Sequence, residues 1–201
     1  MNPRTAPNPM AAPKPALTDD LFEQITTAAM DTWQRHADAN EAVFQEHIRA
    51  DFAAARRTLA GLHPRHDNFL ELGSGVGVIT ILADLLGFDA YGIEIQPELV
   101  DASIALAESV GSRATFAEGS FVPLEFRDEV ELLDSDRLTP TEGADALAEL
   151  GMAISDFDLV YAYPYPGEEA WFEELVRRHG DGHPTLLLYS VADGFQVSGP
   201  Q

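Results

Sequence analysis

Cysteine is absent from the 201-residue chain, and lysine occurs once, at Lys14. The first absence excludes disulfides, thiolate metal sites and a cysteine nucleophile, and it favours a cytoplasmic setting. No apolar run reaches the length of about eighteen residues that a membrane span needs, so no membrane partner is expected. Arg4 and Lys14 are followed by no apolar stretch, which argues against a signal peptide. Basic residues are few: 12 Lys and Arg stand against 34 Asp and Glu, for a net charge of −22. Such a surface repels phosphate backbones, and the isolated pairs Arg56–Arg57 and Arg177–Arg178 make no basic patch. Nucleic acid is therefore not an expected partner. There is no H-E-x-x-H, and Gly180, Gly182 and Pro184 break any helix joining His179 to His183, so no metal site is expected.

What is present suits one domain with a real core, since 45% of the residues are hydrophobic. Residues 1–17 carry prolines at 3, 7, 9, 13 and 15 and read as a disordered tail. Residues 18–64 read as an N-terminal helical cap. Thr18 or Asp19 is the N-cap, and Leu21, Ile25, Ala28, Ala29 and Thr32 share a face with Phe22 and Trp33 at its edges. Val43, Phe44, His47 and Ile48 continue the helical spacing, and the helices end near Gly61 and Pro64.

From Asn68 the texture changes to short apolar runs alternating with helical patterns. Strands are expected at 68–72, 90–95, 113–118, 157–163 and 185–190. Helices are expected at 77–86, closed by Gly87, at 97–110, opened by Pro97, and over GEEAWFEELVRRHG. This alternation argues for an α/β fold, a Rossmann-like and mostly parallel sheet with helices on both faces. Residues 121–156 are the exception: acidic, with one plausible helix at 141–151, they read as an irregular connection over the site. Only VADGFQVSGPQ follows the fifth strand, so the sheet is expected to be shortened at that end, with FQV as a stub at most. The alternative is that the N-terminal helices cover the exposed edge; an uncovered edge would favour a homodimer. The helices of residues 19–61 are expected to pack on the sheet and partly close the cleft at its strand ends.

The stretch FLELGSGVGVITILADLLGFDAYGIEIQPE, residues 69–98, concentrates the chemistry. Gly73, Gly75 and Gly77 follow the first strand, where a parallel sheet binds ligands. Glycine lets a ligand approach the backbone, and the next helix offers free N–H groups. The dinucleotide fingerprint needs Gly or Ala at position 78, which is Val78, and a phosphate-cradling loop needs a lysine that is missing. Glu71, at the strand end, suits a cationic group better than a pyrophosphate. Glu94 ends the second strand, where a carboxylate accepts hydrogen bonds from ribose hydroxyls. A ligand with a ribose, a positive amino-acid moiety and no phosphate fits both acids.

ELGSGVG followed by YGIEIQPELV resembles the nucleotide-binding half of class I S-adenosylmethionine-dependent methyltransferases, over roughly residues 66–190. The resemblance implies a class I methyltransferase-like domain at 65–201 with S-adenosyl-L-methionine as cofactor. It implies that Glu71, Gly73, Ser74, Gly75 and Gly77 hold the methionyl part. Glu94 would bind the ribose, Ile95 would lie against the adenine, and Gly119, Ser120 and Phe121 would sit beside it. Many members carry Asp where Ser120 stands. The acceptor is expected near the end of the fourth strand, in FDLVYAYPYPGEEAW. There Tyr161, Tyr163 and Tyr165 could wall a channel, with Tyr161 expected to contact the cofactor and Tyr163 and Tyr165 the candidate catalytic residues. Glu168 and Glu169 could accept a proton or charge the first turn of a helix.

Methyltransferases acting on the amino groups of DNA bases carry Asp/Asn-Pro-Pro-Tyr/Phe where this chain has Ala162-Tyr163-Pro164-Tyr165. A further likeness is to small lysine methyltransferases that modify mitochondrial membrane-associated and carrier proteins. A small molecule or a protein lysine is thus the expected methyl acceptor. The competing reading is a non-catalytic cofactor-binding or protein-interaction module.

Overall fold

The computed structural model describes residues 14–39, 50–133 and 137–199. The helical spacing at Val43 to Ile48 and most of the proline-rich segment lie outside them. Six strands form one sheet: β1 (Asn68–Leu72), β2 (Asp89–Glu94), β3 (Thr115–Glu118), β4 (Leu159–Ala162), β5 (Thr185–Ser190) and β6 (Gly194–Ser198). Their order is β3-β2-β1-β4-β5-β6. The first five are parallel, and the order reverses between β1 and β4, which opens a crevice beyond their carboxyl ends. The expected stub at FQV is a full strand. β6 runs antiparallel to β5 from Leu186↔Ser198 to Ser190↔Gly194 and covers the edge that the sequence left open. Gly194, at φ +70°, ends the tight turn that makes this pairing possible.

Helices α1 (Asp19–Ala39), α2 (Phe52–Leu62), α3 (Val78–Leu86) and α4 (Pro97–Ser109) lie on one side of the sheet. The amide of Leu21 donates to Thr18 Oγ1 at 3.2 Å, which makes Thr18 the cap of α1. Asp51 caps α2 by accepting from the Ala54 amide at 2.8 Å. Ala55, Leu59 and Leu62 of α2 pack on Phe69, Leu159, Tyr161 and Leu187 of the sheet. Ile25 and Ala29 of α1 pack instead on Val78, Ile81, Leu82 and Leu106 of α3 and α4. Each fully buried leucine here contributes about 1.5–3 kcal/mol. Residues 14–17, expected in the tail, lie against this body: Lys14 pairs with the buried Asp84, and its ammonium donates to the Phe88 carbonyl at 3.0 Å.

The opposite face of the sheet carries α5 (Arg127–Leu133), α6 (Ala146–Leu150) and α7 (Glu169–His179). The expected helix at 141–151 is the shorter α6, because Gly143 sits at φ +116° and Asp145 caps the helix by accepting from the Ala148 amide. Helix α5 was not expected at all. Among the described residues, no helix is long and apolar enough to cross a membrane.

Candidate functional site

The loop between β1 and α3 turns on three glycines with positive φ, at +78°, +54° and +77° for Gly73, Gly75 and Gly77. They do different work. A Cβ added at Gly73 or Gly75 would meet nothing within 4 Å, so both backbones face open space. A Cβ at Gly77 would stand 2.6 Å from Ser103 Cβ and 2.7 Å from the Phe116 ring. Gly77 is thus a packing glycine that lets α3 approach α4 and β3. The amides of Gly73 and Ser74 donate to the Ile93 carbonyl at 2.9 and 2.8 Å, which ties the loop to β2.

Glu94 completes that tie. Its Oε2 accepts from the Gly75 amide at 2.8 Å, and its Oε1 accepts from the amides of Ile95 and Gln96 at 2.8 and 3.0 Å. The carboxylate is 8% exposed and faces a cavity of about 600 Å³. Gly73, Gly75, Glu94, Ile95, Gly119, Ser120, Phe121, Tyr163 and Tyr165 all border this cavity. The ends of four strands, β1 to β4, therefore bring nine of the expected site residues together.

Glu71, Ser74 and Tyr161 line a smaller adjoining cavity of about 130 Å³, which shares Gly73, Gly75 and Tyr163 with the large one. Ala29, Met30 and Trp33 of α1, with Ala50 and Phe52, form its outer wall. Glu71 is 4% exposed. Its Oε2 accepts from the amide of Thr80 at 2.9 Å and from the Thr80 hydroxyl. Burial pushes this carboxyl from an ordinary 4.5 up to about 8, against the lowering effect of the Thr80 bonds. Tyr161 is its sheet partner, and burial raises that phenol well above its ordinary range. The hydroxyls of Ser74, Tyr161 and Tyr163 are buried without hydrogen-bond partners.

Ser120 borders the large cavity, but its hydroxyl is committed elsewhere. It donates to the Thr141 carbonyl at 3.0 Å and accepts from the Val122 amide at 3.1 Å. Its amide donates to Ala144 O at 2.8 Å, so Ser120 anchors the strap of residues 137–145. Glu168 holds the other end of that strap. Only 3% exposed, it accepts from the amides of Leu138 and Thr139 and from the Thr139 hydroxyl. Leu138, Thr139 and Pro140 are thereby set along the cavity wall. Glu169 heads α7 and borders the cavity, with its carboxylate accepting from the Gly167 amide at 2.9 Å.

The sequence reading missed Thr80, the strap contacts of Glu168, and the Ser190–Asp193 turn that closes the far end of the cavity. A threonine near the start of a helix gave a faint signal for the first; the other two had none. Among the described residues, no group of three or more acids and histidines is placed to hold a metal ion.

A parallel sheet with a glycine turn after β1 and a carboxylate ending β2, beside the point where the strand order reverses, is the ligand crevice of a Rossmann-like fold. Known proteins agree with that class. No family model matches the chain. A stretch of 54 residues, 27% of the chain, is 43% identical to the ribosomal protein L11 methyltransferase of Thermus thermophilus, and it spans only 21% of that protein. A Klebsiella pneumoniae protein assigned as an O-methyltransferase aligns over 88% of this chain and 67% of its own, at 14% identity and a TM-score of 0.53. An O-methyltransferase from Bacillus cereus, solved with S-adenosylhomocysteine, aligns over 88% and 69%, at 16% identity and a TM-score of 0.50. The chain has the Rossmann-like fold of these O-methyltransferases.

Proposed function

We propose that the protein transfers a methyl group from S-adenosyl-L-methionine to an acceptor held beside Tyr163 and Tyr165. The observation that carries this reading is the junction of Glu94 with the Gly75 amide at the mouth of the crevice. A carboxylate offers about four acceptor sites, and three are filled by amides. One ribose hydroxyl finds the open site, and a second requires the Gly75 amide to yield. Gly73 and Gly75 leave open space where the methionyl chain would run, and Ile95 and Phe121 offer apolar surface for the adenine. Glu71, with Ser74, would receive the methionyl ammonium in the small cavity, and would give up the proton that burial keeps on it in the free protein. Ser120 offers its place beside the adenine but not its hydroxyl.

The cofactor supplies an electrophilic methyl whose bond to sulfur breaks with its electron pair returning to sulfur. The chain's part is to aim an acceptor lone pair along that bond and to take up the acceptor's proton. Tyr163 and Tyr165 border the acceptor end, and Glu169 stands there as a proton acceptor. Helices α1 and α2 act as the cap over residues 65–201, and the reaction runs in the cytoplasm. A protein lysine and a small molecule both remain in the acceptor screen. So does nucleic acid, because net charge describes a whole surface and not one cleft.

Calorimetric titration with S-adenosylhomocysteine tests the reading. Binding should be micromolar and should weaken at least about tenfold in Glu94→Ala, which removes charge-assisted bonds worth roughly 1.5–3 kcal/mol each. Equal binding by that variant sinks the site assignment. No binding by the wild type favours the interaction-module reading.

A further inference from the structure

The large cavity has two halves of different character. One half lies against Gly73, Gly75, Glu94, Ile95 and Gly119 and matches the cofactor as proposed above. The other half is where the proposed acceptor would lie, and the chemical class of that acceptor is unassigned. It is bordered by Tyr163, Tyr165 and Phe172, by Glu169 at the head of α7, and by the β5–β6 turn with Asp193. Its walls are aromatic rings and prolines. Among the described residues that border the whole cavity, Glu94, Glu169 and Asp193 carry the only acidic groups, and no lysine, arginine or histidine is present.

We infer that this outer half selects an acceptor bearing a positively charged amine on an apolar stem, and rejects anionic acceptors. The inference rests on the methyltransferase reading of the same cleft. Aromatic faces and two carboxylates both attract an ammonium, while a carboxylate or phosphate would enter a site with no counter-charge. The half-buried Glu169 and the exposed Asp193 stand on separate elements, α7 and the β5–β6 turn, on the rim of one cavity. The amine enters charged and must lose a proton before its lone pair can attack, and Glu169 is the nearby group able to take it. Selectivity would thus come from the charge that also deprotonates the nucleophile.

The test uses the full chain saturated with S-adenosylhomocysteine and three probes that share a ring and chain: phenethylamine, 2-phenylethanol and 3-phenylpropionate. Binding is followed by ligand-observed NMR. The ammonium should bind at least about tenfold more tightly than the carboxylate, with the alcohol between them. The isosteric double variant Glu169→Gln, Asp193→Asn should erase the order while still binding S-adenosylhomocysteine, which also shows that it is folded. Amide-capped N-acetyl-lysine in a parallel arm separates the sources of the amine: tighter binding than phenethylamine assigns a protein side chain, weaker binding a free amine. An anion that binds as well as the ammonium overturns the inference. So does a preference that survives the double variant, or no probe binding to the loaded protein. Failure of S-adenosylhomocysteine to bind is a separate outcome and overturns the underlying methyltransferase reading instead.

Discussion

Glu71 should make the protein less stable as pH rises through neutrality, and Glu71→Gln should remove that loss. The carboxyl is 4% exposed, and burial holds it protonated up to about pH 8, against an ordinary 4.5. The folded state therefore binds this proton more tightly than the unfolded chain does. Its stabilising effect is complete below about pH 4.5, declines between 4.5 and 8, and is gone above 8. Over that window the loss amounts to about 5 kcal/mol. A domain's whole stability is about 5–15 kcal/mol, so the effect is large. Glutamine keeps an oxygen for the Thr80 amide and hydroxyl and cannot ionise. Urea denaturation of both proteins at pH 5, 7 and 9 isolates the effect, because the other carboxylates titrate alike in each. The variant should match the wild type within about 1 kcal/mol at pH 5 and exceed it by roughly 3–5 kcal/mol at pH 9. A difference that stays flat across pH would refute the reasoning, since Glu71 would then be an ordinary ionised acid.

The glycines of the loop should separate by substitution. Gly77→Ala, with its Cβ 2.6 Å from Ser103 Cβ, should cost the left-handed strain plus overpacking, about 2–5 kcal/mol, seen as a lower melting temperature. Gly75→Ala meets no neighbour and should cost about 1–2 kcal/mol while weakening S-adenosylhomocysteine binding; equal destabilisation by the two would contradict the division of roles. Glu168→Ala leaves the Leu138 and Thr139 amides without their acceptor, and should cost about 2–4 kcal/mol and speed proteolytic cleavage within 137–145. Cleavage at the wild-type rate would mean that Glu168 does not hold the strap.

Local punctuation made much of the fold legible in the chain. β1 and β5 fall at the residues that short apolar runs marked, and α3 stops at Gly87, as expected of a glycine after a helix. The glycine loop and the acid ending β2 were legible for the same reason. Both follow from what a chain must do at a strand end, and both involve neighbours in sequence. β6 was not legible, because GFQVS is a strand only through its pairing with β5. The strap was not legible either: Glu168 meets Thr139 across 29 residues, and Ser120 meets Thr141 across 21. Nothing in composition or spacing marks such contacts.

What the sequence determined by itself was the succession of strands β1 to β5 and of the longer helices between them, the turn that opens the crevice, and the acids placed at its edge. These are set by backbone freedom and hydrophobic period within a few residues. Only the tertiary structure decided which acid does what. Folding buried Glu71 behind Thr80 and kept it neutral, turned Glu94 to the glycine loop, and sent Glu168 to hold a strap. A carboxylate's role depends on its desolvation and on the donors around it, and those come from segments far apart in the chain.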